Sequence, residues 1–555
     1  MNLADAKTSR PLLLGNRHMV SAGHPLAALA GFNILDAGGN AFDAGVAAGF
    51  ALNVVHPDMA NLGGVAPIIV YSSERKKVTT IAGIGQWPEL ATLDAVSKAG
   101  NGRIPVSPQR WVVPAAVGSW LTALELYGTL SAADALAPAI DLAENGFPAH
   151  YFLCYNVSIS QAAWAEFPDN RTIYMPDGRL PVVGDVIRQS GLADTLKRLV
   201  AAEKAAGGSR EDGIRAARDC FYKGDIAEAV DRFSREVGGF VRASDMAAFV
   251  AREEPPVSTS YRGRRFYACG PWSQGPAVLQ MLNIGSRFDL AALGEADLAH
   301  TLIEIVKLAL SDRNRHYGDP RFVDVPMERL LSEEHAEKLA GLISPVRAND
   351  VPHDPVLGSA SPDTTFVCVV DADGNAFAAT PSDSTMLVTP IVPELGFGIS
   401  DRGLQASLDP RDANCVAPGK RPRLTPNPGL MLSDEGLMVY GTPGGEVQTQ
   451  AMLQFLVNHL DRGMDLQAAC EHPRWASYGI PTTEDPHFIE PKMVRIEEGL
   501  EHAIGANLRS RGHRVEPWPL RASLAGGICA VERHDRTAVL YGAADPRRMS
   551  YAVGR

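Results

Sequence analysis

No stretch of the chain approaches the roughly 20 consecutive apolar residues that cross a bilayer, which excludes a helical membrane span on sequence grounds. There is no Lys/Arg run, and the formal net charge is -12. An acidic chain without a basic patch is a poor general ligand for nucleic acid, and the charge reads first as solubility. The seven cysteines are scattered, odd in number, and none has the close spacing of a metal knuckle or redox pair. Most of them read as small buried apolar residues, and the pattern fits a reducing compartment. H-E-x-x-H, a Gly-rich phosphate loop and a G-x-S-x-G elbow are all missing, so zinc, nucleotide and serine-hydrolase chemistry lack residues to carry them. His56-Pro57 and His472-Pro-Arg474 stand alone and read as structural. The opening MNLADAKTSRPLLLGNRHMV lacks the apolar run of about seven or more residues of a secretory leader, and a cytoplasmic protein is expected.

What is present is an ordinary globular balance, 45% apolar and 21% charged over 555 residues, enough for a large core. The pattern predicts a helix over His24–Ala37 stopped at Gly38-Gly39-Asn40, then a helix over Ala41–Val55 so rich in Ala, Gly and Val that it must be buried on most sides. A tight turn at Asn61-Leu-Gly-Gly64 leads into strands at Pro67–Tyr71 and Val78–Ile84. From about 115 to 350 the pattern is mostly helical, with helices at Ala116–Tyr127, Ala132–Asn145, Leu192–Ala206 and Leu298–Asn314 and breaks at Gly207-Gly208 and Glu253-Glu254-Pro255-Pro256. Ser344 to Pro362 reads as an exposed loop.

At Thr364 the character changes. Thr364–Val370 is β-branched and apolar, Asp371-Ala-Asp-Gly374 is a turn, and Ala376–Thr380 returns. Further hairpins are expected at Gly429–Leu432 with Leu437–Tyr440, and at Gly527–Val531 with Ala538–Tyr541; a helix should cover Val447–Leu460. Helical layers around antiparallel strands point to an α/β sandwich.

Three segments can carry chemistry. A Thr hydroxyl needs a base; if the bond between Asp363 and Thr364 opens, the new α-amine, with an ordinary pKa near 7.7–8.0, supplies one. A loop running straight into a strand suits such a cut, although Asp-Thr-Thr is also an ordinary strand start. Pro443-Gly444-Gly445 before a helix can present unpaired N–H groups as an oxyanion hole, or simply be a turn needing permissive backbone. Ser382 and Ser384 end the strand returning beside Thr364 and can bond its hydroxyl, or serve the turn.

Together these segments resemble the γ-glutamyltranspeptidase family over most of the chain. The likeness is strongest in Gly38-Gly-Asn-Ala-Phe-Asp-Ala44 through His56-Pro57 and Asn61-Leu-Gly-Gly64, in Asp363-Thr-Thr365 through Val369-Val-Asp-Ala-Asp-Gly-Asn-Ala376, and in Pro418-Gly-Lys-Arg-Pro422 followed by Gly441-Thr-Pro-Gly-Gly445. The resemblance implies a four-layer αββα fold of the N-terminal-nucleophile hydrolase type. It implies autocleavage into a large subunit, 1–363, and a small one, 364–555. It makes Thr364 the nucleophile, puts Ser382 in the place of a Thr that hydrogen-bonds it, and makes Gly444 and Gly445 the oxyanion donors. It implies no cofactor and no metal. The partners are a small-molecule amide and the two fragments of one chain, without nucleic acid or membrane; pairing of two copies is left open.

The departures concern the substrate. Ile81-Ala-Gly-Ile-Gly-Gln-Trp-Pro88 lacks the family's carboxylate-binding Arg, whose place falls near Ile84. The family's paired serines fall at Leu424 and Thr425, its substrate-holding Asn near Ser384, and its acidic pair near Leu404–Ser407, where no carboxylate stands. The lid loop before Lys420 is short. Asp401, Arg402, Arg421 and Arg423 are nearby charges that could substitute. Ser384, Thr425, Leu424 and Arg423 are the substrate-binding candidates. The leading function is a γ-glutamyltransferase/glutathione hydrolase-like amidohydrolase that forms an acyl-enzyme on Thr364 and hydrolyses or transfers a γ-glutamyl-type group. A second reading keeps the mechanism on another amide, oxamate-type or cephalosporin/glutaryl acylase-type. A third is an inactive binding paralogue, against which the intact Asp363-Thr364-Thr365 and Gly444-Gly445 stand.

Overall fold

The computed structural model describes residues 8–165, 167–351, 364–383 and 389–555. At its centre the hairpin expected after Thr364 forms: Val367–Val370 pairs antiparallel with Ala376–Ala379, Val370 opposite Ala376. The turn closes because Gly374 takes φ +79, a left-handed backbone open to glycine. The Asp371 carboxylate accepts from the Asp373 and Asn375 N–H groups at 3.0 and 2.9 Å. The same carboxylate accepts from Ala41 N at 2.9 Å, fastening the turn to the positive end of the helix Ala41–Val55.

This hairpin is the middle of a seven-stranded antiparallel sheet. Its order is Tyr551–Gly554, Met19–Ala22, Val367–Val370, Ala376–Ala379, Ile68–Ser72, Lys77–Ile81 and Glu253–Glu254. A second seven-stranded antiparallel sheet runs Leu13–Gly15, Val539–Ala544, Cys529–His534, Gly436–Gly441, Gly429–Ser433, Arg264–Ala268 and Val257–Tyr261. Period-two alternation sorts the side chains into three cores. Phe366, Cys368 and Val370 meet Leu430, Val439 and Val531 between the sheets. Val367, Val369 and Phe377 point the other way, onto the helices Pro25–Asp36 and Ala41–Val55. Met431, Met438 and Tyr440 face the helices Gly275–Gly285 and Val447–Leu460. Helix, sheet, sheet and helix thus stack in four layers, the αββα sandwich that the resemblance implied.

The helix Ala41–Val55 is buried along its whole length, because other helices cover the side away from the sheet. Two glycines permit this: a Cβ on Gly45 would lie 2.2 Å from the Phe377 ring, and one on Gly49 2.7 Å from Trp120. Both early helices, Ala116–Tyr127, Ala132–Asn145, Val447–Leu460 and all three hairpins lie where the pattern puts them, within a few residues.

The middle segment corrects the sequence reading. Val257–Tyr261 and Arg264–Ala268 form an edge hairpin of the second sheet, and Glu253–Glu254, read as a break, pairs with Thr80 and Ile81. The strand read as Val78–Ile84 ends at Ile81. The first and last strands, Met19–Ala22 and Tyr551–Gly554, carried no sequence expectation; they are short, and only their partners make them strands. All seven cysteines are free; burial pushes the Cys368 thiol far up, so it acts as an apolar filler between the sheets.

Candidate active site

Thr364 heads the central strand and has no accessible surface. Its neighbour fixes the approach. Thr365 N donates to Pro381 O at 3.0 Å, and Thr365 Oγ1 sits 3.1 Å from His56 Nδ1. Gly23 makes room for that hydroxyl, since a Cβ there would lie 2.1 Å from Thr365 Oγ1. His56, read from sequence as an isolated structural residue, therefore stands one residue from the nucleophile candidate.

His56 packs against His150 and His24, with ring centroids 5.2 and 6.0 Å away. Burial first, and the neighbouring imidazoles second, hold His24 and His56 well below the usual histidine range, so these rings are neutral. His56, Asp58 and His150 lie close enough to contact one cation. The tautomer argues otherwise. His150 Nδ1 accepts from Leu153 N at 3.1 Å as the cap of helix Tyr151–Ser160, so its Nε2 carries the proton and points to Val55 O at 3.3 Å. A metal-bearing imidazole instead donates from its second nitrogen.

Ser382 Oγ lies 2.8 Å from Thr364 Oγ1, as the resemblance implied. The Asn61-Leu-Gly-Gly64 turn delivers it. Val65 and Ser382 exchange backbone bonds of 3.1 and 2.9 Å, and a Cβ on Gly64 would sit 2.7 Å from Asp383 Cβ. Asp383 takes φ +142, strained for a non-glycine residue. Asp383 N donates to Met59 O at 3.2 Å, and its carbonyl accepts from Asn61 Nδ2 at 3.1 Å. Arg402 donates from Nη2 to Ser382 Oγ at 2.7 Å and passes 3.9 Å from the Asp383 carboxylate. Asp401 pairs with Arg110 at 2.7 Å; burial opposes its ionisation, but Arg110 and Arg402 hold it below the usual carboxylate range. A second partner for the Thr364 hydroxyl approaches from the helix Val447–Leu460: Gln448 Nε2 is 3.5 Å from Thr364 Oγ1.

Gly444 and Gly445 turn the chain from strand to helix at φ +131 and +55, backbone that side chains rarely adopt. Their carbonyls accept from Val447 N and Gln448 N at 2.9 and 3.2 Å. Their own N–H groups make no hydrogen bond among the described residues and stand at the positive end of the helix, the arrangement for receiving an oxyanion. Gln274 Nε2 holds Gly445 O at 2.9 Å, and Arg313 holds Gln274 Oε1 at 2.8 Å. Arg313 also pairs with Glu446. Burial opposes ionisation of Glu446, yet Arg313 and Thr483 keep its carboxyl below the ordinary range.

Gly444, Gly445 and Thr425 form part of the wall of a cavity of about 1000 Å³. Its sides are largely apolar: Tyr151, Tyr155 and Ile159 along one helix, and Ile480, Phe488 and Trp518 from later segments. Arg548 lies at its edge over the Phe152 ring, 5.3 Å from the centroid.

The substrate-binding candidates divide. Thr425 reaches the cavity, its N–H donating to Gln405 Oε1 at 3.0 Å. Leu424 does not: its N–H bonds Trp272 O at 3.0 Å, and the side chain is buried in the helix-side core. Arg423 does not either. It is turned inward to Asn314 at 3.2 Å, and burial, with Arg313 nearby, pulls its guanidinium down to about 9. Ser384 and Asp363 lie outside the described residues. Ile84 is buried in the helix-side core, and Arg421 is spent on Asp319 and Glu254 at 2.9 and 2.7 Å. Near Leu404–Ser407 a carboxylate does arrive, from elsewhere: Glu484 lies 3.4 Å from Gln405 Nε2. Arg402, Gln448, His56 and Glu484 are the site residues whose roles sequence spacing left unassigned. The sequence singles out Arg402 as a charge without a place and His56 as structural, and offers no signal for Gln448 or Glu484.

Residues 27–554 match the family model described as Gamma-glutamyltranspeptidase. The chain is 34% identical over 550 residues to the "Glutathione hydrolase-like YwrD proenzyme" of Bacillus subtilis (strain 168), covering 98% of this chain and 99% of that protein. It is 32% identical over 548 residues to the "Acylase ACY 1 proenzyme" of Pseudomonas sp. (strain V22), covering 95% and 92%. Among solved structures, the cephalosporin acylase from Bacillus halodurans superposes with a TM-score of 0.86 at 30% identity, over 99% of this chain and 98% of that one.

Proposed function

This chain belongs to the gamma-glutamyltranspeptidase family, a self-processing amidohydrolase of the N-terminal-nucleophile type, and on that footing we propose Thr364 as its nucleophile and a bulky, non-γ-glutamyl amide as its substrate. The observation that carries the reading is the placement of Thr364 Oγ1, 2.8 Å from Ser382 Oγ, on the same central scaffold as the two unpaired glycine N–H groups that border the cavity.

In maturation the Thr364 hydroxyl attacks the Asp363 carbonyl, the C–N bond to Thr364 breaks, and an ester links Asp363 to the threonine oxygen. Water hydrolyses that ester, leaving a carboxylate on the 1–363 fragment and an α-amine on the 364–555 fragment. In turnover the α-amine takes the hydroxyl proton as Thr364 Oγ attacks the substrate carbonyl. Gly444 and Gly445 N–H groups receive the oxyanion, the proton passes to the departing amine, and water or an acceptor amine resolves the acyl-enzyme.

The substrate reading rests on the cavity. Its volume, about 1000 Å³, is at the upper end of small-molecule sites and far exceeds what a small amide such as oxamate fills. The positions matched to γ-glutamyl recognition hold the buried Ile84 and Leu424, and an apolar side chain cannot replace a charge-assisted carboxylate contact.

The test is a gel followed by an assay. Purified wild type should resolve into two bands with the smaller one starting at Thr364, and Thr364→Ala should stay whole. The processed protein should hydrolyse an anilide with a bulky arylacyl group in preference to a γ-glutamyl anilide or oxamate. Preferential γ-glutamyl turnover would return the substrate reading to glutathione-type chemistry without touching the nucleophile.

A further inference from the structure

Ser382 Oγ sits between two partners, Thr364 Oγ1 at 2.8 Å and Arg402 Nη2 at 2.7 Å. A guanidinium can only donate, while a hydroxyl has one proton and two lone pairs. Arg402 therefore occupies one lone pair of Ser382, and the serine proton has Thr364 Oγ1 within reach as its acceptor. From these contacts we infer that Arg402 is a positioning residue of the reaction: acting through Ser382, it turns that hydroxyl into a donor toward the Thr364 oxygen and biases the nucleophile toward its deprotonated form.

The surroundings support this direction. Gln448 presents its Nε2 donor to the same oxygen, so Thr364 Oγ1 is approached by donors from two sides, and hydrogen bonds donated to an oxygen favour its deprotonated form. Arg402 is 1% exposed, where a charge acts over distance far more strongly than at the surface. Among the described residues, the charged groups facing it are Asp383, Asp401 and, from the preceding large segment, Arg110; the His56 imidazole is bonded to the neighbouring Thr365. Asp383 lies 3.9 Å from Arg402 Nε, and Ser400 Oγ donates to the Asp383 carboxylate at 2.5 Å. The Asp383 carboxylate is thus held beside the guanidinium by Ser400. The geometry aims the Nη2 end of the guanidinium at the serine.

This inference rests on Thr364 being the nucleophile, and self-cleavage tests it without a known substrate. Full-length chains of wild type, Arg402→Gln, Arg402→Lys, Ser382→Ala and the double variant Ser382→Ala/Arg402→Gln are purified uncut, checked for folding by near-UV circular dichroism, and followed on gels from weakly acidic to weakly alkaline pH. Arg402→Gln should cleave more slowly by on the order of tenfold, the loss expected for one hydrogen bond to a charged group, with its rate rising at higher pH than wild type. Arg402→Lys should recover most of the rate and the wild-type pH position. The double variant should be no slower than Ser382→Ala, because Arg402 acts only through that hydroxyl. Independent, multiplying losses in the double variant, or a folded Lys variant displaced in pH as far as the Gln variant, would overturn the inference while leaving the nucleophile in place. Should Arg402→Gln fail to fold, the Lys profile decides alone. A wild type that never cuts before Thr364 removes the nucleophile and this inference with it.

Discussion

Asn427 donates from Nδ2 to Gln448 Oε1 at 3.0 Å, and that bond decides which end of the Gln448 amide meets Thr364. With its oxygen taken, Gln448 can offer only Nε2, and it does so at 3.5 Å. Asn427 is in turn anchored by a second bond to Thr425 O at 2.8 Å, which ties the cavity wall to the donor facing Thr364. Gln448→Leu is expected to slow self-cleavage by about tenfold, one hydrogen bond's worth. Asn427→Asp should slow it as well without touching Thr364, since a carboxylate would turn the Gln448 amide around. Band conversion on gels reads both, and an unchanged rate in Asn427→Asp would show that the orientation does not matter.

The imidazole cluster makes stability depend on pH. Burial lowers the folded-state pKa of His24, His56 and His150 below the unfolded value, so the unfolded chain binds more protons on acidification. The stabilisation from keeping these rings neutral is fully present above about pH 6.5 and is lost as pH falls below it. Thermal unfolding followed from neutral to mildly acidic pH should show a falling midpoint for wild type. His150→Gln, which keeps an amide acceptor for the Leu153 cap, should have a shallower slope; an identical slope would clear His150 of the effect.

The helix Tyr151–Ser160 turns Tyr151, Tyr155 and Ile159 toward the cavity at intervals of one turn, with Tyr155 still 52% exposed. Truncating such half-buried side chains forfeits roughly 1–2 kcal/mol of apolar contact with a ligand. Tyr155→Ala combined with Ile159→Ala should reduce kcat/KM for a bulky arylacyl anilide by about tenfold or more, leaving oxamate hydrolysis and self-cleavage as they were. An equal loss on both substrates would place these residues outside substrate recognition.

Gly45→Val should be among the most damaging single changes away from the site. Its side chain would begin 2.2 Å from the Phe377 ring, on the face of the hairpin that carries Thr364. Overpacking a dense core costs about 1–3 kcal/mol or more, so a clear drop in Tm is expected. Self-cleavage should slow only to the extent that folding is lost, and a normal midpoint would mean that the helix and hairpin slide apart easily.

Much of the scaffold was legible because it is written locally. Asn40 and the Gly38-Gly39 stop punctuate helices that begin and end within a few residues of their expected places, and the Asp371–Gly374 turn sets its hairpin by its own side chains. The chemistry proposed for Thr364, Ser382 and Gly444-Gly445 was likewise suggested by residue types beside strand and helix ends. Tertiary structure alone decided the rest, since the surroundings of those residues come from contacts far apart in sequence. His56 meets Thr365 across a separation of 309 residues, Gln448 meets Thr364 across 84, and Glu484 meets Gln405 across 79. The strand Met19–Ala22 is four residues long and exists because Val367–Val370 and Tyr551–Gly554 pair with it on either side. Arg402 and Arg423 make the same point in opposite directions. Both are arginines in similar local settings, yet packing aims one at Ser382 and turns the other toward Asn314, because a buried guanidinium goes where donors can be satisfied, and only the folded chain supplies those acceptors.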